Sequence, residues 1–256
     1  MKRSVVATVA LVVSYMGLPR ASAMAQENAD ADSTHWQWYV TPYGWASGMR
    51  GDVGVRGRVA HVDVSFSEIL DHLDAGFMLP LEVRRGDLGL QLDLLYIKVS
   101  GVKATPGPLF STADASGKLF LGEIAPLFRV LTTKDAMVDV LGGIRWWNVR
   151  GDLTLEPGIL PRESRNLNKG WMDAIGGARG FYKIDPHWVL QGRGDIGALQ
   201  SDFTWQLIGS VGYIINNTAT VRAGYRQLDV DFDDGGDGFV FDVGLGGPFI
   251  GVTFRF

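Results

Sequence analysis

The chain has 256 residues, of which 46% are hydrophobic, and its formal net charge is −4 at pH 7. It contains no cysteine, which excludes a disulfide scaffold and a thiolate metal site. The acidic balance argues against a general affinity for nucleic acid or for anionic lipid.

The N-terminal residues are typical of an export signal. Two basic residues precede an apolar run over residues 5–18, and small residues at Ala23 and Ala25 fit A-x-A cleavage sites. The apolar run is shorter than the roughly 18 or more residues that a membrane-spanning helix needs. The predicted organisation is a signal peptide (residues 1–25), an N-terminal extension (26–34) and one exported domain (35–256).

The stretch AGFMLPLEVRRGDLGLQLDLLYIK is the clearest hairpin in the chain. Apolar and polar residues alternate along both arms, so one face of each arm is nearly all Leu, Val and Phe. A two-residue turn at Arg85 and Gly86 makes both faces consistent. This register predicts that Leu81 lies opposite Leu90, with Glu82 on the other face.

A second hairpin is predicted in GEIAPLFRVLTTKDAMVDVLGGIRWWN. Matching its apolar residues sets Arg129 opposite Asp139 and Glu123 opposite Arg145. Two pairs of opposite charge on one face indicate that this face lines a polar interior.

The polar faces of all such segments carry acids and bases in nearly equal numbers. The predicted interior acids are Glu82, Asp93, Glu123, Asp139, Asp173 and Asp195, and the predicted interior bases are Arg84, Arg129, Arg145, Arg179, Arg193, Arg222 and Arg226. This set fits either a narrow aqueous pore lined by both charges or a closed network that fills the interior. Its balance argues against strong ion selectivity in both cases.

Aromatic residues cluster near the ends of the predicted strands, among them Trp36, Trp38, Trp45, Trp147 and Trp171. Aromatic girdles occupy such positions at the two surfaces of a membrane. A soluble β-sandwich shows the same alternation of faces. The export signal, the charged inner faces and the lack of long apolar runs after the signal together favour a closed barrel in an outer membrane.

The segment DVDFDDGGDG carries a weak candidate for a cation site. Asp229, Asp231 and Asp233 have the alternate spacing of carboxylates in a calcium loop. The glycine follows one place late, and Val240 stands where a glutamate would close the site. We therefore expect a solvated acidic outer loop and no bound cofactor; a bridge of divalent ions to lipopolysaccharide phosphates stays open.

The chain ends on GVTFRF, which resembles the C-terminal assembly signal of bacterial outer-membrane barrels. Gly251, Phe254 and Phe256 occupy the matching places of that signal, whereas Phe249 stands where it has a polar residue. The resemblance implies recognition by the barrel-assembly machinery.

Three further stretches, TPYGWASGMRGDV, LEVRRGDLGLQLDLLYI and GDIGALQSDFTWQ, resemble a widespread family of uncharacterised Gram-negative outer-membrane barrels. The resemblance implies an all-β, antiparallel transmembrane barrel in contact with outer-membrane lipid and lipopolysaccharide. It implies no substrate and no catalytic residues.

The number of strands is predicted to be twelve, within a range of ten to twelve. Counting back from Phe256 yields an odd number, which a closed barrel of this kind does not have. Either the chain reverses once more at Arg56-Gly57-Arg58, or Gly246-Gly247-Pro248 breaks the last strand.

Three functions fit these observations, and the first is a narrow, charge-lined channel for small solutes. The alternative is a structural or surface-interaction barrel with a plugged interior. A lipid-modifying enzyme is less favoured, because the chain has neither an H-x-x-x-H pair nor a G-x-S-x-G elbow. We therefore expect no enzymatic activity.

Overall fold

The computed structural model describes residues 35–55, 58–105, 107–236 and 238–256. The predicted signal peptide (residues 1–25) and extension (26–34) lie outside them. The described elements are β1 (Gln37–Val40), β2 (Tyr43–Trp45), β3 (Gly48–Val55), β4 (Arg58–Val64), α1 (Phe66–Asp71), β5 (Leu73–Arg85), β6 (Leu88–Ala104), β7 (Phe110–Thr132), β8 (Ala136–Pro157), β9 (Glu163–Lys183), β10 (Trp188–Leu199), β11 (Phe203–Ile214), β12 (Ala219–Asp233) and β13 (Val240–Arg255). None of the helices in this part of the chain is long and apolar enough to cross a membrane.

Ten of the thirteen described strands close into an antiparallel barrel, namely β1 and β5 to β13. Consecutive strands pair from β5 to β13, and β1 closes the circuit by pairing with both β5 and β13. The predicted antiparallel barrel is confirmed. The preferred count of twelve strands is wrong, because β2, β3 and β4 lie outside this circuit.

The first strands are successive segments of one long partner of β13. Tyr39 of β1 lies opposite Arg255 of β13, and Met49 of β3 lies opposite Leu245 of β13. The two pairs belong to one continuous register. Pro42 separates β1 from β2, since proline has no N–H to donate to the ladder.

Neither explanation for the odd strand count adds a strand to the barrel. The chain does reverse between β3 and β4, but this hairpin attaches only to the edge of β13. Residues 246–248 do not break the last strand, because β13 runs through them without interruption.

The β5–β6 hairpin has a register two residues away from the predicted one. Leu81 lies opposite Leu92 rather than Leu90, because Gly86 and Asp87 form the turn. Gly86 has a φ of +58°, a conformation that glycine adopts readily. A shift of two residues keeps every side chain on its predicted face.

The β7–β8 hairpin confirms the predicted charge pairs. Arg129 lies opposite Asp139, and Glu123 lies opposite Arg145. The register shifts between Arg129 and the turn. The predicted pairing therefore holds only from Arg129 toward the middle of the barrel.

The two ends of the barrel differ in height. β7 and β8 have 23 and 22 residues, whereas β10 and β11 have 12 each. The connections between these long strands and their neighbours are short, at residues 105–109 and 158–162. We call the end of the barrel with these two connections the long-hairpin end. The opposite end, with the β5–β6, β7–β8, β9–β10 and β11–β12 turns, is called the short-turn end.

The short helix α1 links β4 to β5 at the long-hairpin end. Ser65 caps it, since the Ser65 hydroxyl accepts a hydrogen bond from the Glu68 backbone N–H. In return, the Ser65 backbone N–H and hydroxyl donate to the Glu68 carboxylate, which lowers the pKa of that group.

The two faces of the wall have opposite character. Outward apolar side chains are exposed on strands around the barrel, and five of them, Leu90, Ile144, Ile196, Leu207 and Ile250, are 40% to 63% exposed. The buried side chains lie on the inward face, and they include most of the predicted interior charges. The ten strands thus direct an apolar band outward and a mixed core inward.

Candidate functional site

The interior contains two groups of charged side chains and one group of aromatic rings. From the short-turn end inward, we call them the lower charge cluster (Glu82, Arg84, Arg129, Asp139, Arg179), the central charge cluster (Asp93, Glu123, Arg145, Arg193, Asp195, Arg226) and the aromatic cluster (Trp147, Trp171, Phe232, Phe239, Phe241).

The lower charge cluster is organised around Asp139. Its carboxylate accepts hydrogen bonds from Arg84 Nη2 at 2.6 Å, Arg129 Nε at 2.9 Å and Arg179 Nε at 3.0 Å. Glu82 accepts two more from Arg179, at 2.6 and 2.7 Å, and one from Arg84 at 3.2 Å. Three arginines therefore share two carboxylates, which leaves this cluster with one excess positive charge.

The central charge cluster contains a closed ring of four alternating charges. Arg145 donates to Glu123 at 3.1 Å and to Asp195 at 2.6 Å. Arg193 donates to the same two carboxylates, at 2.7 and 2.9 Å. The four side chains are at most 2% exposed, so the ring is removed from water and its charges are balanced by its own members.

Arg226 extends the ring toward the wall formed by β2. Its Nη1 donates to Asp93 at 3.0 Å and to the Tyr43 hydroxyl. Its guanidinium lies over the Trp45 ring, 5.1 Å from the centroid. Trp45 was predicted to lie in an outer girdle, but it is buried against this arginine.

Asp173 and Arg222 stand apart from these ion pairs. Asp173 is fully buried and accepts hydrogen bonds from the Ser201 hydroxyl and backbone N–H, at 2.7 and 2.8 Å. Arg222 donates to Thr253 at 3.0 Å and to Gln191 at 2.8 Å, which are both neutral. All other predicted interior residues are joined by ion pairs.

The aromatic cluster fills the interior beyond the central charges. Trp171 stacks on Phe232 with ring centroids 4.2 Å apart, and on Trp147 at 5.7 Å. Phe241 packs edge-on against Trp171 at 5.6 Å. Because Trp147 and Trp171 are 2% and 3% exposed, their assignment to an outer girdle is wrong.

The same register that places the charges could have found this cluster. Trp147 lies two residues beyond Arg145 on β8 and therefore shares its inward face. The adjacent Trp146 points outward, so the pair Trp146-Trp147 contributes one ring to each face. If both tryptophans are assigned to a membrane girdle, the inward position of one of them is missed.

A cavity of about 500 Å³ opens at the short-turn end and stops at the central charge cluster. Gln91, Gln191 and Arg222 lie on its wall, and Arg193 and Arg226 lie at its inner end. Beyond them, the buried ring and the aromatic cluster occupy the interior. The cavity is therefore a blind pocket.

The predicted assembly residues lie on the last strand, next to the seam with β1. Phe254 and Phe256 are 38% and 71% exposed on the outer side. The Phe256 backbone N–H donates to the Trp38 carbonyl at 2.9 Å, and the Trp38 N–H donates back at 3.1 Å. Gly251 lies close to Tyr43, since an added Cβ would stand 2.5 Å from the Tyr43 Cβ.

Residues 229–233 of the acidic segment are the end of strand β12, whereas the whole segment was predicted to be a loop, and the connection to β13 begins only at Asp234. Asp229, Asp231 and Asp233 are alternate residues of β12 and share its outward face, spaced along the strand. Their carboxylates therefore do not converge on one point, and no cluster of three potential ligands occurs among the described residues.

Comparisons with known proteins support the fold alone. No family model and no curated protein matches the chain, so the predicted family membership has no support from sequence. The structure is similar to the translocator domain of autotransporter NalP from Neisseria meningitidis, with 14% identity, a TM-score of 0.52 and coverage of 89% of this chain and 91% of that one.

Two further solved structures are more distant. A major outer membrane protein from Thermus thermophilus has 13% identity over 87% of this chain and 100% of that one, with a TM-score of 0.43. Ail from Yersinia pestis has 12% identity over 86% and 98%, with a TM-score of 0.35. Scores this low support no argument about this chain. The fold, through its ten-stranded circuit and its likeness to the NalP domain, is that of an outer-membrane β-barrel.

Proposed function

We propose that the protein spans the outer membrane of a Gram-negative bacterium, with its short-turn end in the periplasm. The exposed apolar band on the outward face is what lipid contact requires. Outer-membrane barrels have short periplasmic turns and longer outer connections, as the two ends of this barrel do. Trp38 and Trp188 point outward near the short-turn end, where an interfacial girdle would lie.

We propose further that the barrel is plugged and acts as a structural or surface-interaction protein. The single observation that carries this proposal is the buried ring of Arg145, Glu123, Arg193 and Asp195 beneath the aromatic cluster. An aqueous pore would leave such charges hydrated, whereas each of these carboxylates is bound by two arginines. Opening the ring would separate buried ion pairs, which costs several kcal/mol per pair.

With the interior plugged, the surfaces available for interaction with other molecules are those on the outside of the barrel. The β6–β7 and β8–β9 hairpins rise above the short β10–β11 hairpin and carry exposed charges of both signs, such as Arg162 with Glu156 and Arg165 with Glu163. In the proposed orientation they lie outside the cell, beside lipopolysaccharide. The exposed Phe256 lies at the periplasmic end, where the assembly machinery would meet it.

Planar-bilayer recording of the refolded protein tests the plug. We expect no discrete current steps at high salt, from protein that shows the heat-dependent gel shift of a folded barrel. A general porin in the same bilayers serves as the positive control. Reproducible steps that scale with the amount of folded protein would contradict the proposal.

A narrow channel for small solutes is the second candidate. The cavity favours it, because a charge-lined passage already reaches the centre of the barrel from one end. The buried ring and the aromatic cluster oppose it, since both would have to move for a solute to pass. Current steps in the recording would support this candidate.

The lack of enzymatic activity stays a prediction. Incubating the refolded protein with phospholipid and lipopolysaccharide, and analysing the products by mass spectrometry, would test it. Time-dependent release or transfer of acyl chains would contradict it.

A further inference from the structure

The cavity at the short-turn end is strongly basic, although the interior charges looked balanced in the sequence. Nine basic and four acidic side chains line it. Bases still outnumber acids when Arg145 and the carboxylates directly behind the lining, Glu123, Asp139 and Asp195, are included. The balance of the whole interior therefore does not hold at the surface of the cavity.

Arg222 is the clearest source of this excess. Its Nε and Nη1 are held by Thr253 and Gln191, so its position is fixed by neutral groups. Within the described part of the chain, no carboxylate lies within salt-bridge distance of it, and its Nη2 donates no hydrogen bond. A fixed guanidinium with a free N–H edge on a cavity wall is suited to bind a carboxylate or a phosphate.

The excess of positive charge is the second observation that points to an anion. Arg84 and Arg226 also belong to the cavity lining, although their unpaired atoms, Arg84 Nη1 and Arg226 Nε, are buried out of reach of a ligand. Uncompensated positive charge around a cavity costs free energy, which a bound anion would offset.

We propose that this cavity binds a small anion with carboxylate or phosphate groups, anchored by Arg222. The volume of about 500 Å³ falls within the roughly 300 to 1,000 Å³ of small-molecule sites. Because the cavity opens at the short-turn end, the anion enters from the periplasm in the orientation proposed above. Binding does not depend on whether the barrel conducts.

Isothermal titration calorimetry on the refolded barrel in a zwitterionic detergent tests this site. The probes are citrate for carboxylate chemistry and inorganic pyrophosphate for phosphate chemistry. We expect saturable binding of at least one probe with a stoichiometry near one, and Arg222→Gln should weaken it by about tenfold or more. The preferred probe identifies the chemical class.

Arg165→Gln is the matched control, because it removes the same charge from an exposed position on the β8–β9 hairpin. It should leave the affinity unchanged. If Arg222→Gln fails the gel-shift test for folding, Thr220→Asp adds a negative charge to the same wall and should weaken binding as well. Lack of saturable binding of both probes, or equal affinities of wild type and the cavity variant, would overturn the proposal.

Discussion

At the scale of single residues, the interior is held together by arginines that each bridge two carboxylates. Arg145 joins Glu123 to Asp195, and it is fully buried. The pairing of Glu123 with Arg145 could be predicted from the sequence, because cross-strand register is a local property of one hairpin. The bond from Arg145 to Asp195 could not, because it joins strands that are not neighbours in the sheet.

Replacing Arg145 tests this view of the interior. Arg145→Ala leaves two buried carboxylates with Arg193 as their remaining shared partner, and it should lower the free energy of unfolding by about 3 to 5 kcal/mol. Urea unfolding of the refolded protein, followed by tryptophan fluorescence, measures the loss. Arg165→Ala breaks an exposed pair with Glu163 and should cost about 1 kcal/mol or less. Equal losses would show that the buried ring has no special role in stability.

The aromatic cluster was missed at this scale for a physical reason. Tryptophan suits both a membrane interface and a packed core, so its residue type does not choose between them. Face parity does choose, since Trp147 shares the inward face of Arg145. For Arg222, face parity was not enough. Its inward face follows from the sequence, but its lack of an acidic partner depends on which strands the barrel brings together.

At the scale of elements, individual hairpins were easier to predict than the set of strands that closes the barrel. Alternation identifies a strand and short turns identify its partner, so the β5–β6 and β7–β8 pairs follow from local sequence. Whether a hairpin belongs to the closed circuit depends on the long-range pairing of β1 with β13, which no local pattern encodes. The β3–β4 hairpin therefore looked like part of the barrel and is not.

The β5–β6 register can be tested with pairs of cysteines. Directly opposed residues have Cβ atoms close enough for a disulfide, whereas residues displaced by two positions do not. Leu81→Cys with Leu92→Cys should cross-link on mild oxidation, and Leu81→Cys with Leu90→Cys should not. Since the chain has no native cysteine, each product is unambiguous on a gel. The opposite result would restore the turn at Arg85 and Gly86.

Two adjacent glycines in β8 test how closely this strand approaches its neighbours. A Cβ on Gly143 would stand 2.1 Å from the Ile124 carbonyl oxygen, whereas one on Gly142 would be 3.8 Å from its nearest atom. Gly143→Ala should therefore lower the free energy of unfolding by about 1 to 3 kcal/mol, because β7 must move. Gly142→Ala should change it by about 0.5 kcal/mol or less. Urea midpoints measure both, and similar midpoints would contradict the close approach.

At the scale of the whole molecule, the sequence supports a barrel with an apolar outside and a charged inside. It could not decide whether the inside was open, since a predicted count of ten to twelve strands lies between the filled barrels of about eight strands and the open barrels of about sixteen. The answer depends on how side chains from all strands fill the centre. In the structure, the half toward the short-turn end holds a cavity, and the rest is filled by the central charge cluster and the aromatic cluster.

The central claim is that each strand separates lipid from an interior that is accessible to water only up to the plug. Single cysteines at Leu190, Gln191 and Thr204, in protein refolded into lipid vesicles permeabilised to the reagent, test this most directly. Leu190 points outward, Gln191 lines the cavity, and Thr204 is fully buried against Arg145. We expect a fluorophore at 190 to be quenched by lipid-borne quenchers, the thiol at 191 to react with a water-soluble maleimide, and the thiol at 204 to be protected from both. Reaction at 204 as fast as at 191 would show an open lumen, and equal behaviour of 190 and 191 would show that the two faces do not separate lipid from water.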